Sequence, residues 1–297
     1  MTLWTETLGA EVRYSGDRYR TRVLDVGCGE PLLLLHGQGG HLENFARNVR
    51  AFAEHRRVLA MDFLWHGASE QAPFDERLIP AFMEQVVDLL SAEGIDRCAV
   101  EGQSMGGWVA ARLALERPDL VSKLVLTTPM GIEPAPESVD RSRYDSIRSA
   151  QLKTLDETTF EQVRNRLEML LLAPDELDDE LVAVRHAFYS RPDVKAGLRR
   201  VAESYFGDPP GPLPWELGPD ELGDLRLPTL VYWGTANFSP PSVGEGIADH
   251  IPGAAYHLAE AGHWAQYERA AEHNEVVLAF LADEAANVRA DELPEST

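Results

Sequence analysis

The chain has 297 residues, 44% of them hydrophobic, and a net charge of −22; it is long enough to bury a sizeable apolar interior, as one large domain or as a core carrying an insertion. Regular apolar runs exclude disorder over most of the length, no stretch reaches the roughly 18 to 20 continuous apolar residues of a membrane span, and the opening MTLWTETLGAEVRYSGDR lacks a basic start followed by an apolar run. The acidity opposes contact with nucleic acid or an anionic membrane surface, so the expectation is a soluble, cytoplasmic protein whose charge serves solubility and in which arginines gathered together would be anion hooks.

Residues 1–30 carry short polar–apolar alternations (Glu11 to Tyr14, Thr21 to Val26) split by Ser15-Gly16-Asp17, which suits an antiparallel hairpin. Pro31 to Leu35 is a continuous apolar run, as in a strand covered on both faces, and it ends in the loop Gly37-Gln38-Gly39-Gly40. A helix is expected from about Leu42 to Glu54, a strand over Arg57 to Met61 and a helix from Ile79 to Glu93 closed by Gly94. Arg97 to Val100 reads as a strand, Trp108 to Glu116 as a small-residue helix and Leu120 to Thr128 as another strand broken at Pro129. This alternation marks a doubly wound, mostly parallel α/β sheet. From Gly131 to about Gly223 strand-like runs vanish. Helices are expected there at about Ser138 to Thr154, Thr158 to Leu172, Pro174 to Tyr189 and Pro192 to Phe206, followed by a proline-rich return. Alternation resumes with strands at Leu227 to Gly234 and Ala254 to Leu258, each followed by a helix. The division is a core over 1–133 and 223–282, a helical insertion over 134–222, and an acidic, unstructured tail over 283–297.

Gly102-Gln103-Ser104-Met105-Gly106 falls where a strand stops and a helix starts, the setting of a nucleophile elbow. Side chains two residues to either side of the serine would crowd the turn, hence the glycines. A serine hydroxyl needs a base, and among nine histidines His263, in Ala261-Gly262-His263-Trp264 after the last strand, stands at the sheet edge that carries the elbow. The third position, after the Thr229 to Trp233 strand, holds Asn237 where a carboxylate is expected. An asparagine orients an imidazole without stabilising its charged form. Three readings stay open: Asn237 orients a weaker base, a carboxylate such as Glu133 or Glu245 substitutes, or the reaction needs little charged histidine. Backbone amides of Gln38 and Met105 are the candidate oxyanion donors. Cys28 and Cys98 form neither a disulfide framework nor a metal pair, and no phosphate-binding glycine loop or metal cluster implies a cofactor.

With the motifs HGQGG, GQSMGGW and Gly262-His263-Trp264-Ala265-Gln266-Tyr267-Glu268, the chain resembles the α/β-hydrolase fold superfamily, and within it the meta-cleavage product hydrolases, which split carbon–carbon bonds in ring-cleaved aromatic compounds. The resemblance implies that Ser104 and His263 are catalytic, that Gln38 and Met105 form the oxyanion hole and that the helical insertion is a lid. It implies that a lid arginine grips the substrate carboxylate. Arg185 is the nearest match by position, against the alternative of a solvated helix face pairing with Glu180 or Asp178. Gly37, Gln103 and Trp264 match substrate-facing positions, whereas Trp108 and Trp233 read as core. Two positions depart from the family: Asn237 replaces its aspartate, and Leu64-Trp65 replaces a glycine-containing turn. Trp65 either lines the pocket or packs under the lid.

The expected function is hydrolysis of a carbon–carbon bond next to a ketone in an aromatic or carboxylate-bearing small molecule, with a homo-oligomer left open. The alternatives are a carboxylic ester, thioester or lactone hydrolase; a cofactor-free lyase, cyclase or oxygenase using His263 as base; and a non-catalytic small-molecule receptor.

Overall fold

The computed structural model describes residues 2–135, 142–206 and 213–283; all but the first residue of the expected tail lies outside them. One eight-stranded sheet runs through the core: β1 (Glu11–Ser15), β2 (Thr21–Gly27), β3 (Pro31–Leu35), β4 (Arg57–Met61), β5 (Cys98–Gln103), β6 (Val121–Thr127), β7 (Thr229–Gly234) and β8 (Ala255–Ala259), in the spatial order β1-β2-β4-β3-β5-β6-β7-β8. The first hairpin and its junction with β4 are antiparallel, and every later pairing is parallel. The order reverses at β3, so the loops leaving β3 and β5 open side by side at the carboxyl edge, where open α/β sheets bind their ligands.

The apolar run 31–35 becomes a central strand because both its faces are covered. Leu33 and Leu35 join one core cluster and Leu32 and Leu34 the other, following the two-residue period of a strand. On the first side lie α3 (Leu78–Ala92) and α4 (Met105–Glu116), and on the second α2 (Ala46–Ala53) and α12 (Ala270–Ala282). Each fully buried leucine contributes on the order of 1.5–3 kcal/mol relative to an exposed one. Trp108 and Trp233 are buried in the first cluster, as expected. The remaining helices of the core are α1 (Leu3–Glu6), α10 (Pro241–His250) and α11 (Ala265–Glu268). The stretch expected as one helix from Leu42 to Glu54 is a single 3-10 turn, Leu42–Phe45, leading into α2.

Between β6 and β7 the chain forms α5 (Ser142–Asp156), α6 (Phe160–Glu168), α7 (Asp179–Tyr189), α8 (Pro192–Phe206) and the short α9 (Pro219–Gly223). Apolar residues of α5 to α8 meet in a third cluster that includes Trp264 and Tyr267 of the core, while Leu222 of α9 joins the first. Glu268 fastens the two parts together: its carboxylate accepts from the amides of Leu172 (2.7 Å), Ala173 (2.9 Å) and Gly262 (2.6 Å). The helical segment is thereby tied to the loop that carries His263. Among the described residues no helix is long and apolar enough to cross a membrane.

Candidate active site

Ser104 sits at the turn from β5 into α4 with φ 56° and ψ −118°, a conformation that costs a residue with a side chain about 1–3 kcal/mol. The surroundings enforce it. A Cβ on Gly102 would collide with the backbone of Gly106, and one on Gly106 with the carbonyl of Leu35. A Cβ on Gly107 would lie 2.8 Å from Pro129 Cβ. The loop after β3 comes equally close, since a Cβ on Gly37 would stand 2.5 Å from Gln103 Oε1 and 3.0 Å from Ser104 Cβ. Gln38 follows in that loop, and Met105 opens α4, where the first amides have no acceptor within their own helix. Both candidate oxyanion amides therefore belong to elements that meet at Ser104.

His263 is brought to the same place by its own peptide carbonyl. That oxygen accepts from Thr128 Oγ1 (2.7 Å) and from Gln103 Nε2 (3.2 Å), which links the histidine loop to the ends of β6 and β5. The ring is buried and packs against Phe238, with centroids 4.7 Å apart. Nδ1 lies 2.7 Å from Asn237 Oδ1, and the same oxygen accepts from the amide of Phe238 (2.8 Å). The Phe238 donor identifies the Asn237 atom as the amide oxygen. An oxygen acceptor at Nδ1 puts the proton on Nδ1 and leaves Nε2 with its lone pair. Burial, followed by the positive charge of Arg166, lowers the pKa of His263 to about 3. The ring is a neutral base at ordinary pH.

Of the alternative orienting carboxylates, Glu133 is buried and accepts from the hydroxyl of Tyr144, and Glu245 lies on α10. Asn237 is the residue bonded to Nδ1.

A cavity opens on this pair. Its lining includes Gly37, Gln38, Gln103, Ser104, His263, Trp264 and Arg185, and so gathers most of the nominated side chains. Arg185 is not on a solvated face. It is 3% exposed, donates from Nη2 to Asn44 Oδ1 (2.8 Å), and lies 5.6 Å from the centroid of the Trp264 ring. Its alternative partners are engaged elsewhere, Glu180 by the amide of Leu3 and Asp178 by Arg47. Trp65 does not line the cavity. Its indole donates to the carbonyl of Ala72 (2.9 Å) and packs on Phe74 and Phe82, so of its two readings the packing one holds.

Three polar lining residues were not singled out from the sequence: Asn44, Gln151 and Arg166. Arg166 carried a signal, since it lies three residues after Val163 on the buried stripe of α6 and beside the buried Leu167, where a charge is out of place. Polar atoms without protein partners crowd the cavity: both side-chain heteroatoms of Gln38, Asn44 Nδ2, Gln103 Oε1, Arg185 Nε, and Nε and Nη1 of Arg166. Each such buried atom costs about 1–3 kcal/mol until water or a ligand bonds to it. Among the described residues no group of three His, Cys, Asp or Glu is placed to hold a metal ion.

Residues 30–270 match the family model of the alpha/beta hydrolase fold. The chain is 29% identical over 276 residues to a 2-hydroxy-6-oxo-6-phenylhexa-2,4-dienoate hydrolase of Burkholderia cepacia, covering 89% of this chain and 92% of that one. It is 31% identical over 277 residues to a 2-hydroxy-6-oxononadienedioate/2-hydroxy-6-oxononatrienedioate hydrolase of Burkholderia vietnamiensis, covering 90% and 92%. Among solved structures, a meta-cleavage product hydrolase from Pseudomonas fluorescens IP01 superimposes with a TM-score of 0.75 at 21% identity, covering 91% of this chain and 97% of that one. The chain belongs to the α/β-hydrolase fold family, and it is a hydrolase whose relatives include the meta-cleavage product hydrolases.

Proposed function

We propose that this hydrolase cleaves a carbon–carbon bond beside a ketone in a carboxylate-bearing product of aromatic ring cleavage, with Ser104 and His263 as the reacting pair under a lid formed by α5 to α8. The observation that carries the reading is the meeting of Ser104, a neutral His263 and the buried Arg185 around one cavity. Arg185 and Asn44 hold the substrate carboxylate, a charge-assisted contact of the strong kind. His263 Nε2 then takes the acidic proton of a dienol, and the proton is returned to carbon to give the ketone. An oxygen of Ser104, or of water activated by His263, attacks that ketone, and the amides of Gln38 and Met105 receive the negative charge on its oxygen. The carbon–carbon bond breaks and the leaving carbon departs as a resonance-stabilised dienolate that takes up a proton; on the Ser104 route water then hydrolyses the acyl-enzyme.

This substrate chemistry suits the neutral Asn237. A triad aspartate stabilises imidazolium, whereas an acidic dienol asks less of its base. The absence of a carboxylate at Nδ1 also favours one second reading, a lyase that uses His263 alone. The test is incubation with 2-hydroxy-6-oxo-6-phenylhexa-2,4-dienoate. One water is consumed and benzoate and 2-hydroxypenta-2,4-dienoate are expected in equal amounts by mass spectrometry. No cleavage of this or of its carboxyl-ended analogues, while ester or lactone substrates turn over, would overturn the proposal.

A further inference from the structure

The cavity holds a second cation that the proposed mechanism leaves without a task. Arg166 is 8% exposed, lines the cavity from α6, and neither its Nε nor its Nη1 has a protein partner. Burial lowers its pKa to about 10, with the charge of Arg185 adding to the effect. Two like charges close enough to oppose each other, in a site whose lining among the described residues contains no aspartate or glutamate, are an uncompensated arrangement. Truncation of one partner of a buried ion pair typically costs about 3–5 kcal/mol because the other charge is left alone, and here no described lining residue supplies a counter-charge. Arg185 at least has the side-chain amide oxygen of Asn44. In a chain of net charge −22, a described lining without a single acid leaves the counter-charge to the ligand.

We propose that Arg166 is a second anion-binding residue and that the substrate is a dianion, one carboxylate held by Arg185 and a second negative group held by Arg166. The inference rests on the proposed function in taking this cavity as the substrate site, and it deepens that reading by selecting a carboxyl-ended chain over one ending in an uncharged aryl or methyl group. Leu167 and Leu170, which flank Arg166 on the same wall, provide the apolar surface for the carbon skeleton between the two charges.

The test is equilibrium binding by calorimetry of two acids with the same skeleton, hexa-2,4-dienedioate and hexa-2,4-dienoate, which differ by the terminal carboxylate. Neither has a bond that the enzyme would cleave, so the result is independent of the reaction. The unmodified protein is expected to bind the dianion at least about tenfold more tightly, as for a buried charge-assisted contact. Arg166→Met should bring the two affinities to within about twofold by weakening only the dianion, while Arg166→Lys retains the preference; Arg185→Met should weaken both acids. Equal binding of the two acids by the unmodified protein overturns the inference whatever the variants do, as does a preference that survives in Arg166→Met. Failure to cleave any oxo-dienoate would end the proposed function and leave a measured dianion preference standing.

Discussion

Around Ser104 the backbone leaves no room for a side chain at 102, 106 or 107, whereas on α6 and α7 the nitrogens of Arg166 and Arg185 have room and too few partners. The elbow is specified by exclusion: a serine in a strained turn, with small residues wherever another atom would collide. The cavity wall is specified by omission, with charges installed and their counter-charges left out. Both states are costly to the free protein, and in both the cost is placed where a substrate would bind. On the proposed function, reactivity belongs to the sheet edge and selectivity to the helical segment, so the two should respond separately to substitution.

The widest separation is expected from Ser104→Ala. Removing the proposed nucleophile should lower turnover by about 10³-fold or more while leaving calorimetric binding of hexa-2,4-dienoate within a few-fold of the parent. Equal loss of binding and turnover would break the division. On the other side, Arg185→Met should lower kcat/KM by about 10²-fold, chiefly through KM, as expected for a lost charge-assisted contact. A steady-state comparison in which kcat alone fell would place Arg185 in the chemistry.

Asn237→Asp sharpens the comparison at its junction. A carboxylate at Nδ1 favours imidazolium, so the acid limb of the kcat/KM profile should move to higher pH than in the parent, whose His263 stays neutral down to about 3. An unmoved limb would mean that His263 does not govern the rate.

The sheet edge is also a store of pH sensitivity. His41 and His66 are lowered to about 4 and His263 to about 3, all chiefly by burial, and His36 is lowered in the same way. Groups held neutral in the folded state are protonated first in the unfolded one, so their contribution is full above about pH 6.5 and is lost as the pH falls towards about 4. Each contributes a slope of about 1.4 kcal/mol per pH unit. Asp62, raised to about 6 chiefly by burial, works in the opposite direction below that pH and offsets one histidine. Denaturant titrations should therefore show stability falling from pH 7 to pH 5, and a flat profile would contradict the buried neutral ring assignments. The smallest effect belongs to Trp65→Phe. It deletes the bond to Ala72 and should cost on the order of 1 kcal/mol in stability with less than about threefold change in kcat/KM, because the residue packs away from the cavity.

The central strands were legible because they are buried on both faces and so are continuous in the sequence; β4, expected over Arg57 to Met61, occupies those residues. The elbow was legible for a related reason, since steric exclusion leaves glycines at fixed spacing. Helices α1 and α9, of four and five residues, are too short to show a period. The cavity wall was less accessible. A guanidinium on an amphipathic helix looks solvated, and the partner that marks Arg185 as buried, Asn44, is 141 residues away in the chain. Trp65 stayed ambiguous because its place depends on Phe74 and Phe82, and a single aromatic carries no information on which neighbours will meet it.

The account depends most on Ser104 being a nucleophile activated by a neutral His263. Intact-protein mass spectrometry after exposure to a fluorophosphonate addresses it directly. One adduct per chain on Ser104, with labelling slowed at least about 10²-fold in His263→Ala, is the predicted result. An unlabelled Ser104 in a protein that still binds hexa-2,4-dienoate, or labelling that proceeds undiminished without His263, would contradict it.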